Sequence, residues 1–139
     1  MIGFLLDTNV PSEVTRKGAS ELVLTWLRDF EKQSFLSTIT LGEIRQGIVL
    51  AKDENKKAVL NRWLTEVIYE TFTDRILPVS APIAERWGLI HAHRIRSGKP
   101  MTVPDGLIAA TALEHGLTLV TRNVRDFQDL GLSLVNPWE

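Results

Sequence analysis

Three acidic residues draw attention by where they fall. Asp7 ends the apolar run Ile2-Gly3-Phe4-Leu5-Leu6. Glu43 shares a helical stripe with Ile39, Gly47 and Leu50, and Asp105 follows Pro104 at the head of an almost wholly apolar stretch. A carboxylate at the end of a buried strand is costly unless it is paired, hydrogen-bonded or bound to a cation. Each acid also has an ordinary structural reading. Asp7 would serve as the N-cap of a helix starting near Val10. Thr40-Leu41-Gly42-Glu43 matches a capping box, in which the glutamate reaches back to the first amide of its helix. An acid in the first turn, such as Asp105, complements the helix dipole and is worth ~0.3–1 kcal/mol. A fourth polar position lies at Asn123, with Asp126 close behind; these read either as turn and cap residues or as the remainder of a ligand set. Taken jointly, the residues offer hard oxygen donors in a chain without cysteine. That chemistry suits Mg²⁺ or Mn²⁺ rather than zinc, and such ions serve phosphoester hydrolysis.

Around these positions, the hydroxyls of Thr8 and Thr121 could orient water or the ligand carboxylates. Arg45, Arg94, Lys99, Arg122 and Arg125 neighbour the acids or their flanking loops, which makes them the candidates for touching phosphate. His91-Ala92-His93 is not expected to bind an ion, because residues two apart on a helix do not face each other. His115 suits the C-terminal end of a helix dipole. Trp26, Trp63 and Trp87 lie on apolar helical stripes and are expected in the core or at a dimer contact, with Trp138 covering a sheet edge or a partner.

The elements that must position this chemistry alternate. Short apolar runs at Ile2–Leu6, Ser34–Ser37, Ile76–Val79, Leu117–Thr121 and Leu132–Val135 read as strands, with Pro78 assigning the third to an edge. Between them, 3.6-residue periodicity predicts helices after Ser20, over Ile39–Ala51, from about Asp53 to Phe72, through Ile83, Trp87, Ile90 and Arg94, and over Pro104–His115. Gly116 is placed to stop the last of these, and a short segment is expected over Asp126–Leu130. Strands alternating with helices imply an α/β fold on a mainly parallel sheet, whose ligands bind beyond the carboxyl ends of the strands. Asp7 and the Thr121-Arg122-Asn123 segment should therefore share one edge.

With 139 residues and no repeat or linker, the chain reads as one domain spanning 1–139. The formal net charge of −1 argues against a nucleic-acid coat protein, but not against an enzyme that meets RNA locally. Ile2 to Leu6 is too short for a secretory h-region, and no run approaches the ~20 apolar residues of a membrane span. A cytoplasmic location without membrane association is expected.

The blocks Leu5-Leu6-Asp7-Thr8-Asn9-Val10, Ser37 to Gly47, Asp105-Gly106-Leu107-Ile108-Ala109-Ala110-Thr111-Ala112 and Thr121 to Phe127 with Asn136-Pro137-Trp138 appear in order. They resemble the signature blocks of PIN-domain toxin ribonucleases of the VapC and FitB-like branch. The resemblance implies a PIN-like three-layer sandwich, with a mainly parallel central sheet flanked by helices. It also implies Mg²⁺- or Mn²⁺-dependent endoribonuclease activity leaving 5′-phosphate and 3′-hydroxyl ends. A homodimer and an antitoxin protein that blocks the site, with a higher assembly of the two, are implied too. Carried over by position, Asp7, Glu43 and Asp105 match the family's acidic triad and would bind metal. Asn123 stands where many relatives have a fourth acid, with Asp126 in reserve. Two rival readings remain: a catalytically silent PIN-like binding module, and a phosphatase with Asp7 as nucleophile. The phosphatase would want a second aspartate where Asn9 stands.

Overall fold

The computed structural model describes residues 2–139. The chain runs β1 (Phe4–Leu6), α1 (Asn9–Glu13), α2 (Glu21–Phe30), β2 (Ser34–Ser37), α3 (Thr38–Leu50), α4 (Glu54–Arg62), α5 (Tyr69–Thr71) and β3 (Ile76–Leu77). It continues as α6 (Ala81–Arg96), α7 (Val103–His115), β4 (Thr118–Val120) and β5 (Leu134–Val135). The strands form one sheet in the order β3-β2-β1-β4-β5, and all four pairings are parallel.

Side chains alternate across a strand, so neighbouring residues enter opposite layers. Phe4, Leu6, Leu36 and Val120 pack with Val23 and Leu27 of α2, Ile44 and Ile48 of α3, and the Leu64–Phe72 segment. Leu5 and Leu119 meet Ile83 and Ile90 of α6 and Ile108, Ala109 and Ala112 of α7 on the other face. The result is the expected three-layer arrangement. The small residues of α7 let that helix lie close to the sheet, and Ala109 and Ala112 are wholly buried.

Sequence and structure differ chiefly at ends and joints. β2 covers its expected run, Ser34–Ser37, whereas the other four strands are shorter than theirs. β3 does lie at an edge, as Pro78 requires. The helix expected over Asp53 to Phe72 is interrupted: α4 passes into a π-helical turn at Trp63–Ile68 before α5. Gly116 ends α7 in the left-handed conformation at φ 63°, as a C′ glycine should. Among the described residues, no helix is long and apolar enough to cross a membrane.

The chain steps outward from β1 through β2 to β3, then returns to lay β4 against β1. That reversal opens a crevice at the carboxyl ends of β1 and β4, where ligands of open α/β sheets bind. Asp7 and Thr121 are the residues that follow those two strands.

Candidate functional site

Asp7 is only 5% exposed. Its own N–H donates to the Val120 carbonyl at 2.9 Å, so it is tied into the sheet's central pair. One carboxylate oxygen accepts the Thr8 N–H at 2.8 Å; the other accepts the Thr121 hydroxyl at 2.7 Å and the Asn9 amide at 3.4 Å. Burial pushes the carboxyl up to about 6; the Thr121 hydrogen bond opposes this, and the charges of Asp105 and Glu43 add to it. Asp7 therefore feels two acids that are remote from it in sequence.

Glu43 accepts the Thr8 hydroxyl at 2.5 Å, and that hydroxyl lies 3.2 Å from the Thr40 hydroxyl. The capping-box reading of Glu43 does not hold. α3 begins at Thr38, and the Ser37 side chain caps it by accepting the Ile39 N–H at 3.0 Å. Thr40 is thus already inside the helix, and Glu43 is free to turn towards Asp7.

Asp105 occupies the first turn of α7, where its N–H donates to the Thr102 hydroxyl at 3.3 Å. Half-burial, and to a lesser degree the neighbouring Asp126 charge, raise its carboxyl above the ordinary range. The helix start is packed tightly. A Cβ added at Gly106 would lie 2.8 Å from the Trp87 ring, so only glycine allows this approach. Trp87 also stacks on His91, with ring centroids 4.9 Å apart. Among the described residues, no three acidic or imidazole side chains converge closely enough to cage an ion unaided.

Asn123 is exposed beyond β4, and its N–H donates to the Thr121 hydroxyl oxygen at 3.0 Å. Thr121 therefore links Asn123 to Asp7. Asp126 sits in the 3₁₀ turn Val124–Phe127, its N–H donating to the Asn123 carbonyl at 2.9 Å, rather than capping a segment over Asp126–Leu130.

The basic candidates separate. Arg94 is 8% exposed, and its guanidinium donates to the Asp126 and Gln128 carbonyls at 3.0 and 2.8 Å. It holds the loop carrying Asp126. Arg45 reaches Asn61 at 2.8 Å between α3 and α4, away from Glu43, because residues two apart diverge around a helix. Arg122 lies over the Trp138 ring at 5.2 Å, while its N–H donates to the Asn9 side-chain oxygen at 3.4 Å. Lys99 and Arg125 line a cleft of about 480 Å³ together with Asp105 and Asp126.

A second cleft of about 610 Å³ opens on the opposite side, at Thr8 and Glu43. Arg16, Lys17 and Lys56 line it, and sequence reasoning passed over all three. No local signal joins Lys17 to Lys56; only the packing of α4 across from α1 brings them to one cleft. Asn9, noted from the sequence for standing where a phosphatase would want a second aspartate, touches Asp7 through its side-chain amide.

Residues 4–131 match the PIN domain family. The chain is 39% identical over 135 residues to Toxin FitB of Neisseria gonorrhoeae, covering 96% of this chain and 97% of that one. It is 32% identical over 136 residues to VapC ribonuclease Y4jK of Sinorhizobium fredii, covering 97% of each. The crystal structure of FitAcB from Neisseria gonorrhoeae superposes with a TM-score of 0.90 at 39% identity, covering 98% of this chain and 99% of that one.

Proposed function

Because the chain belongs to the PIN-domain family, we propose that it is a divalent-metal-dependent endoribonuclease and the toxin of a toxin–antitoxin pair. The observation that carries the reading is Asp7: a buried carboxylate, raised to about 6, facing two further acids at the sheet's switch point. Clustered carboxylates repel, and a bound cation removes that cost. PIN ribonucleases are generally divalent-metal dependent, and Mg²⁺ or Mn²⁺ is the ion assigned here. Mg²⁺ keeps several waters and takes one or two carboxylates, so an open set of Asp7, Asp105 and Glu43 fits a hydrated hard cation better than a closed cage. The oxygen-only donor set, in a chain without cysteine, agrees.

When bound, the ion supplies positive charge that acidifies water and offsets charge developing on the phosphate. The chain's own residues set the geometry. The Thr8 N–H and the Thr121 hydroxyl fix both oxygens of Asp7, and the Thr8 hydroxyl turns Glu43 towards the same point. Asn123, whose backbone N–H is tied to Thr121, stands where many relatives have a fourth acid, and we assign its uncharged amide to lining the site, with Asp126 in reserve. Water attack on phosphorus breaks the bond to the 3′ oxygen, leaving a 5′-phosphate and a 3′-hydroxyl.

The relative named Toxin FitB supports an antitoxin partner, and the ribonuclease named VapC supports an RNA substrate. The proposal includes a single domain over 1–139, a homodimer that assembles further with its antitoxin, and a cytoplasmic location. The test is RNA cleavage by purified protein with Mg²⁺, Mn²⁺ or EDTA, comparing wild type with Asp7→Asn and Asp105→Asn. Cleavage that needs the ion and is lost in correctly folded variants supports the reading; full activity in either variant sinks it.

A further inference from the structure

We propose that the cleft between α1 and α4 is the track for single-stranded RNA leading to the carboxylates, with Lys17, Lys56 and Arg16 holding its phosphates and Trp63 its bases. This rests on the ribonuclease reading and adds the path by which substrate arrives. The cleft opens onto Thr8 and Glu43, so a strand lying in it is continuous with the proposed reaction centre.

Its lining charge is unbalanced. Arg16, Lys17 and Lys56 face one carboxylate, Glu43, whereas in the opposite cleft Arg94, Lys99 and Arg125 face Asp105, Asp126 and Asp129. A polyanion gains where cations are in excess and gains little where they are already matched. Among the described residues, neither Lys17 nor Lys56 has a carboxylate within ion-pair distance. Arg16 is partly engaged, reaching the buried Glu13 at 3.3 Å. Glu13 also accepts the Ser20 N–H at 2.8 Å, which pins both ends of the turn that carries Arg16 and Lys17. The turn that carries these cations is therefore anchored before any ligand arrives.

The opposite wall comes from α4 and the widened turn that follows it. Lys56 lies on the helix, and Leu60 and half-buried Trp63 supply apolar surface beside it. Cations alternating with an aromatic ring are the pattern of single-strand binding, in which backbone charge and base stacking act together. Unpaired bases offer their faces to such a ring, whereas a duplex keeps them stacked inside.

The experiment measures binding of a short fluorescein-labelled single-stranded RNA of mixed sequence across a salt series. It uses an Asp7→Asn background in Mg²⁺, so that the RNA stays whole. Removing two phosphate contacts with Lys17→Gln/Lys56→Gln should lower the slope of log K against log salt by about 1.4, at ~0.7 per contact for single strands. Trp63→Leu should weaken binding about tenfold with the slope unchanged, because stacking carries no charge. Lys99→Gln/Arg125→Gln should change the slope less than the first pair. Thermal melting checks that each variant is folded. An unchanged slope in Lys17→Gln/Lys56→Gln would assign those cations to another anionic partner and overturn the proposal; so would a larger loss from Lys99→Gln/Arg125→Gln, or no binding at all. Binding with the expected slopes but no cleavage by wild-type protein under any ion would instead remove the ribonuclease reading and leave the track in place.

Discussion

The two flanks of the carboxylate centre are built differently. On the β1–α3 flank, Asp7 and Glu43 are fixed by hydrogen bonds from Thr8 and Thr121, and Asp7 is part of the sheet's central ladder. On the α7 flank, the Asp105 backbone receives a helix cap, and its side chain meets the charge of Asp126. The first flank presents a ready-made carboxylate pair; the second contributes charge from the lip of a helix held by its Thr102 cap and its packing on Trp87. The difference teaches that one half of the site is oriented by side-chain hydrogen bonds and the other by where its helix is capped and packed.

The largest expected effect lies on the hydrogen-bonded flank. Asp7→Asn should cut RNA cleavage by about a thousandfold, comparable to deleting a principal electrostatic group, without loss of folding. A reduction equal to that of Asp105→Asn would mean that the flanks contribute alike and would break the contrast.

Next comes the pH response of the metal-free protein. The folded-state carboxyl of Asp7 titrates at about 6 against an ordinary value of 3.8, so the folded state binds its proton more tightly than the unfolded chain. Stability is greatest below the lower value and falls as pH rises through the upper one, by on the order of 3 kcal/mol. Chemical denaturation between pH 4 and 7 in EDTA should record this fall. Asp7→Asn should flatten it, and Mg²⁺ or Mn²⁺ should restore stability at the high-pH end. A slope that survives in Asp7→Asn would place the titrating group elsewhere.

On the other flank, Gly106→Ala forces a methyl against Trp87 and should cost about 1–3 kcal/mol in denaturant melts. Cleavage should fall with it as Asp105 shifts. A neutral result would show that α7 adapts without cost. The smallest effect is expected from Thr8→Val, which keeps the backbone donor to Asp7 but removes the hydroxyl that orients Glu43. Activity should fall about tenfold, as for loss of one hydrogen bond to a charged group, with stability nearly unchanged. Undiminished cleavage would show that Glu43 needs no guide.

Much of this was legible in the sequence, for physical reasons. Asp7 ends an apolar run and Asp105 starts one, and a charge in such a place signals either a cap or a ligand. The parallel sheet followed from the alternation of periods, and the shared edge of Asp7 and Thr121 followed from the sheet. Glu43 was ambiguous because a capping box and a ligand look identical until the helix start is known to within one residue. Arg94 was read both as a member of an apolar stripe and as a candidate for touching phosphate; that its guanidinium would instead be satisfied by loop carbonyls depends on a loop more than thirty residues away. Lys17 and Lys56 were hidden for the same reason, since surface cations acquire meaning only from what packs beside them.

The Thr121–Asp7 hydrogen bond spans 114 positions of sequence, and this has a consequence during synthesis. Asp7 leaves the ribosome well before its partner strand β4 and Thr121. Until they emerge, β1 lacks the neighbour that receives its ladder bond, and the carboxylate lacks the hydroxyl that fixes it. Contacts so distant along the chain form late in folding. A nascent chain thus carries the acids of the site without their arrangement, and the polypeptide stays unarmed until β4 and Thr121 have emerged.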